Sequence, residues 1–220
     1  MTNQATPTSP AGLRARLESL AEPRYRDFAA RLLPGETRLL GVRLPTLRAL
    51  AKELARGGAL HLPTAEEASV EELMLRGMVI GYARGVSLQE RLAALESFVP
   101  LISNWSVCDS CCATYTFARK ERENVWEWLS SYLGSAQEYT ARFGVVMLLQ
   151  HYKQETAWAT RVANALPHVH ATDYYAEMAV AWCACELCLL YPELREGLLE
   201  QLRPSVRRLT MRKLRESRRG

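Results

Sequence analysis

No stretch of this chain is apolar for long enough to cross a bilayer. The longest nearly apolar run, residues 178–191, holds about 14 residues and has Glu186 inside it. A spanning helix needs roughly 20, so this run reads as a buried helix. Sustained period-two alternation bounded by hairpin turns is also missing, which argues against any sheet-based fold. The opening residues MTNQATPTSP carry no basic cluster ahead of an apolar stretch. A signal peptide is therefore not expected, and the expected compartment is the cytoplasm. Charge of one sign is scarce too, since a net charge of +4 does not by itself mark a nucleic-acid-binding protein. With 48% apolar and 24% charged residues, the composition is that of an ordinary globular protein. A length of 220 residues suits one domain with a sizeable core. Disorder is expected only in residues 1–9, with residues 10–220 forming a single domain.

What the chain does have is helix punctuation. Thr64 with Glu67, Ser87 with Glu90 and Ser135 with Glu138 each match the S/T-x-x-E capping box, which satisfies two orphan amides at a helix start. Prolines fall where helices begin or end: Pro10, Pro23, Pro45, Pro63, Pro100, Pro167, Pro192 and Pro204. The pattern predicts helices near 10–21, 23–32, 45–56, 65–84, 88–99, 103–118, 121–132, 136–151, 155–165, 172–191, 193–201 and 204–217. Longer helices alternate with shorter ones at a period near 37 to 40 residues. The expected architecture is all-α, an α-solenoid of HEAT-like antiparallel helix pairs, each pair packing on its neighbours.

The modest charge is unevenly spread. From Arg203 to Gly220 there are eight basic residues and one acid, Glu216, a segment of about +7. Such a segment suits either phosphate binding or a solvated helix end, and composition does not separate the two. The six cysteines, Cys108, Cys111, Cys112, Cys183, Cys185 and Cys188, lie in apolar helical segments. They read as core residues rather than disulfides. The C-x-x-C spacings 108/111 and 185/188 keep a metal site open as the sharper alternative, but no Gly or Pro makes the turn such sites use. His168 and His170 read as a surface H-x-H after Pro167.

Trp105 and Asp109 are four residues apart, so on a helix they share one face. Taken alone, the plainer reading is a half-buried Trp beside an acid that favours the helix dipole. The repeat changes the weighting. Arg142 follows Trp105 by 37 residues, with Gly144 beside it to admit a close approach, and Trp182 follows Arg142 by 40. One residue per repeat, at corresponding positions of successive long helices, projects from one concave surface. The four side chains are therefore expected on one groove, against the competing reading of Trp182 as plain core.

YRDFAARLLPG, LGVRLPTLRALAKEL, LRGMVIGYA, NWSVCDSCC, EYTARFGVVMLL, DYYAEMAVAW and RKLRES, in this order and spacing, resemble the bacterial AlkD family of HEAT-like DNA glycosylases over most of the chain. The resemblance implies hydrolysis of N3- and N7-alkylated purines on a concave face that holds duplex DNA without a base-flipping pocket. It implies Asp109, Trp105 and Trp182 as catalytic residues, with Arg142, three residues after Tyr139, gripping a phosphate. Arg43, Arg48 and Lys52 on the LGVRLPTLRALAK helix, with Arg212 and Lys213 in the basic tail, are expected to contact backbone phosphates. No cofactor, no metal and no obligate protein partner are expected, and the chain is expected to act as a monomer. The alternatives are a non-catalytic HEAT-like scaffold for DNA or protein, and the metal-binding reading of the cysteines with His168 and His170.

Overall fold

Among the described residues Ser9, Ser69, Ser87 and Asn104 each open an α-helix by accepting a backbone amide of its first turn. The computed structural model describes residues 9–62 and 67–217. Its elements are α1 (Pro10–Ser19), α2 (Pro23–Leu32), α3 (Leu44–Leu54), α4 (Val70–Tyr82), α5 (Leu88–Phe98), α6 (Trp105–Cys112), α7 (Arg122–Leu133), α8 (Glu138–His151), α9 (Thr156–Ala165), α10 (Tyr174–Leu190), α11 (Arg195–Gln201) and α12 (Pro204–Glu216). Short 3-10 turns fill four of the links, and no strand occurs among the described residues. Nor is any helix among them long and apolar enough to cross a membrane. Residues 1–8 lie outside the described residues, whereas Ser9, expected to be disordered, accepts the Gly12 amide at 3.2 Å and caps α1.

The expected and observed helices differ in three instructive places. The predicted start of α4 at Thr64 lies outside the described residues, and α4 itself starts at Val70. Ser69 and Glu72 form a reciprocal capping box there. At α8 the Ser135/Glu138 box does not form: the cap is Gln137, and Ser135 accepts the Gln137 amide at 3.1 Å in a local turn. Glu138 instead accepts the Tyr175 amide of a different helix at 2.7 Å. The predicted helix 103–118 breaks after Cys112, and the four residues Thr116–Arg119 form a 3-10 turn. Thr114 donates back to the Cys111 carbonyl at 2.7 Å, and Tyr115 turns inward to donate to the Gly77 carbonyl at 3.1 Å.

The chain divides into two compact units, Met1–Tyr115 and Thr116–Gly220. In the first, α4 is the central helix, packed against α3, α5 and α6. In the second, α7 and α8 run antiparallel: Gly144 meets Leu133, and Tyr152 donates to the Arg122 carbonyl. Helices α8 and α10 run side by side in the same sense, joined at their starts by Glu138–Tyr175 and near their ends by Lys153–Glu186 at 2.8 Å. Helix α12 lies alongside the start of α10, where Ser205 donates to Glu177 at 2.6 Å. Helices packed only on near neighbours, with like-directed members stacked, are the α-solenoid pattern. In the first unit the paired helices α4 and α6 begin 35 residues apart, and in the second α8 and α10 begin 36 apart, somewhat closer than the 37 to 40 read from the sequence.

Two adjacent acids anchor α4. Glu71 is buried and accepts the amides of Leu40, Gly41 and Val42, the Gly41 bond being 2.7 Å. That carboxylate fixes the link between α2 and α3. Glu72 is buried and takes Arg14 Nε at 3.0 Å and the Ser69 amide at 2.7 Å. Burial pushes its carboxyl up, but the hydrogen bonds from Arg14 and Ser69 and the Arg14 charge outweigh this and hold it below the ordinary value of 4.5. A depressed carboxyl stabilises the fold above its unfolded value and stops doing so as pH falls through its folded one. Glu72→Gln is therefore expected to melt below the wild type at pH 7, with the gap narrowing as pH is lowered beneath 4.5. Paired thermal melts from pH 7 to pH 3 check this, and a constant gap would assign the effect to packing alone.

Candidate functional site

Helix α6 is short, and its orientation is over-determined. Asn104 caps it, accepting the Val107 amide at 3.0 Å, and holds Glu36 through its other end at 3.4 Å. One face, Val107, Cys108, Cys111 and Cys112, is wholly buried. It lies on α4 so closely that a Cβ at Gly77 would stand 2.4 Å from Cys111 Sγ. A Cβ at Gly81 would stand 2.1 Å from Thr114 Oγ1. Glycine on one helix and small thiols on the other permit that approach. The Cys111 thiol donates to the Met74 carbonyl at 3.4 Å. Burial pushes the Cys111 and Cys112 thiols well up, so they remain protonated. With its back fixed, α6 holds Trp105 and Asp109 half-exposed, one turn apart along the edge of the buried face, at helical spacing from Cys108 and Cys112. Asp109 is the fifth helical residue, past the first turn in which an acid gains most from the dipole.

In the second unit Arg142 and Trp182 occupy different settings. Trp182 is half-exposed, within the stripe Tyr175, Met178 and Trp182 that repeats at helical spacing along α10. Arg142 is buried, at 5% exposure, and its Nη1 donates to the Tyr175 carbonyl at 2.7 Å. It therefore ties α8 to the first turn of α10, a structural role that the sequence did not suggest. The partner that Gly144 admits is α7, through Leu133 and Tyr132.

The cations expected to meet phosphates are mostly at the surface. Arg43 is exposed, holds Glu22 at 2.8 Å and lies 5.0 Å from the Tyr25 ring centre. Lys52 is exposed, 5.3 Å from the Tyr82 ring centre, and Arg48 is half-exposed. On α12, Val206, Thr210 and Leu214 are buried, while Arg212 is exposed and holds Glu216 at 2.8 Å. Lys213 is half-exposed. Surface ion pairs such as Arg43–Glu22 and Arg212–Glu216 contribute little to stability, so a phosphate competes with them readily.

All six cysteines are buried free thiols, as expected of core residues. His168 and His170 are exposed around a 3-10 turn. Among the described residues no group of three or more His, Cys, Asp or Glu side chains is placed to hold a metal ion. Two features were not read from the sequence. Ser106 and Ser110, each one residue beyond Trp105 and Asp109, line a crevice of about 80 Å³ with Tyr25, Leu47 and Met74. Tyr139 and Tyr175 stack at 5.8 Å with 26° between their planes, and Tyr174 meets Tyr175 edge-on at 5.2 Å. The Tyr-Tyr pair after Asp173 was the available signal for the second.

A family model described as DNA alkylation repair enzyme matches residues 13–217. Comparison with curated proteins and with solved structures returned no match.

Proposed function

Because the chain belongs to the DNA alkylation repair enzyme family, we propose that it is a DNA glycosylase releasing cationic N3- and N7-alkylated purines from duplex DNA. The observation that carries this reading is the Trp105/Asp109 pair, half-exposed one turn apart at the edge of a helix face that is locked against α4. A carboxylate held in place beside an aromatic face suits a reaction that develops positive charge on a sugar.

Glycosidic cleavage passes through an oxocarbenium-like state. Ordinary glycosidases need a second carboxyl group to protonate the leaving group. A purine alkylated at N3 or N7 is already cationic, so it departs as a neutral base and needs no acid. One carboxylate then suffices. Asp109 stabilises the sugar cation and orients or deprotonates the attacking water. Trp105 offers a π face to the cationic nucleotide, worth roughly 0.5–2 kcal/mol, and keeps bulk water from weakening the carboxylate's field, while Trp182 offers a second π face to the DNA. Arg142 adds a phosphate contact to its structural bond with Tyr175. Arg43, Arg48, Lys52, Arg212 and Lys213 hold the duplex through its backbone, which sets its position without reading sequence. The protein acts as a monomer and needs no metal or nucleotide cofactor.

The test is release of free base from duplex DNA carrying N7-methylguanine, with and without a chelator. The expected result is release at equal rates in both. Tight binding without release would overturn the catalytic claim and leave a DNA-binding scaffold. Release lost in chelator and restored by zinc would overturn the one-carboxylate chemistry.

A further inference from the structure

The DNA reading above leaves an aromatic cluster on the second unit unexplained, and the inference drawn from it rests on that reading. Tyr174 is 62% exposed, more than any other large hydrophobic side chain among the described residues. Leaving such a ring in water forfeits burial that the same residue would gain in the core. The ring is nevertheless held firmly. Tyr175 backs it edge-on at 5.2 Å, and Tyr139 stacks behind Tyr175 at 5.8 Å. The backbone beneath is pinned on both sides: the Tyr175 amide donates to Glu138 at 2.7 Å, and its carbonyl accepts from Arg142 at 2.7 Å.

Asp173 and Glu138 stand at the shelf itself, and the cleft along α12 beside it is net positive, with Arg207, Arg208, Arg212 and Arg215 against Glu177 and Glu200. Arg212 is exposed on α12, the helix that lies alongside the start of α10, and its surface pair with Glu216 at 2.8 Å is one a phosphate can replace. It also lines, with Arg208, Arg215 and Ser205, a cleft of about 920 Å³ along α12. Glu177 reaches this cleft as well, but it is engaged by Ser205 at 2.6 Å and Arg203 at 3.8 Å. An exposed π face bordered by arginines matches one ligand chemistry, a nucleobase joined to a phosphate. A hydrophobic peptide would cover the ring and leave the arginines unmatched. Along α10 the shelf shares the half-exposed stripe that ends at Trp182. Tyr175 and Trp182 are seven residues apart, about 10 Å along the helix, or roughly three nucleotide steps. A duplex keeps its bases stacked and offers no free face at that spacing, so the occupant is a base that has lost its partner.

We propose that Tyr174, backed by Tyr175 and Tyr139 and flanked by Arg212, is a stacking site for an unpaired nucleobase, with Arg212 on that nucleotide's phosphate. The protein then prefers DNA that carries an unpaired nucleotide over a fully paired duplex of the same sequence.

Fluorescence anisotropy tests this with two labelled, undamaged duplexes, one fully paired and one carrying a single-nucleotide bulge. The wild type is expected to bind the bulged duplex about tenfold more tightly, within the range that base–aromatic stacking supports. Tyr174→Ala should remove that preference and leave affinity for the paired duplex within about twofold, with an unchanged melting temperature because the ring is exposed. Tyr174→Trp should keep the preference. Equal wild-type affinities, or a preference that survives in Tyr174→Ala, would overturn the stacking site while leaving the repair reading intact. Binding of neither duplex would overturn both.

Discussion

Asp109→Asn is expected to slow release of N7-methylguanine by about 10²–10³-fold, roughly 3–4 kcal/mol of barrier, the usual cost of losing one preorganised electrostatic contact. The substitution keeps the shape and a hydrogen-bonding group and removes only the negative charge that the sugar cation requires. Folding should survive, because Asp109 is half-exposed and the fixed face of α6 is made by Val107, Cys108, Cys111 and Cys112. DNA affinity should hold or rise slightly as repulsion of the phosphates falls. A merely structural Asp109 predicts the opposite pattern. If it serves the helix dipole, the Asn variant should lose a few tenths of a kcal/mol of stability and keep its activity. Single-turnover release and thermal melting on one preparation separate the two. Near-normal release with an unchanged melt would take Asp109 out of the mechanism.

The helices were legible in the sequence because their boundaries are local chemistry. Pro10, Pro23 and Pro204 stand in the first turns of α1, α2 and α12, and the Ser87–Glu90 box opens α5. What the sequence missed is non-local. Glu138 has the spacing to close on Ser135, yet it meets the Tyr175 amide, 37 residues away in the chain. A motif sees the near partner only, and packing chose the far one. The site divides in the same way. The helical spacing of Trp105 and Asp109 places them on one face of α6, and the face is accessible. Arg142 has the same kind of spacing argument, but its burial against the Tyr175 carbonyl depends on how α8 meets α10. No periodicity carries that information. The cysteines show the converse: as core residues they were read correctly, but not the glycine-lined approach of α4 that their small side chains serve.

That approach is where a single methyl group should do most damage to the fold. An added Cβ at Gly77 meets Cys111 Sγ at 2.4 Å and Phe98 Cζ at 2.5 Å. Phe98 and Cys111 are both fully buried, and the Gly77 carbonyl is held by the buried Tyr115 hydroxyl. Neither neighbour can swing into solvent, so the helices must separate. Overpacking of this kind costs typically 1–3 kcal/mol and occasionally more. With two rigid neighbours, Gly77→Ala is expected at the upper end, about 3 kcal/mol. For a chain of this size that lowers the melting temperature by about 6–12 °C. Gly197→Ala is the control: it also lies inside a helix, α11, but an added Cβ there meets nothing within 4 Å. Alanine's better helix propensity should leave that variant unchanged or stabilised by up to about 1 kcal/mol. Base release should fall with stability in Gly77→Ala, even well below its melt, because α6 carries Trp105 and Asp109 and is displaced with them. Combining Gly77→Ala with Cys111→Ala removes the sulfur contact and should recover part of both losses, leaving the Phe98 contact. Thermal melts and release rates for the three variants decide it. A Gly77→Ala protein that melts with the wild type would show that α4 and α6 do not pack at this distance, and the fixed footing proposed for Asp109 would go with it.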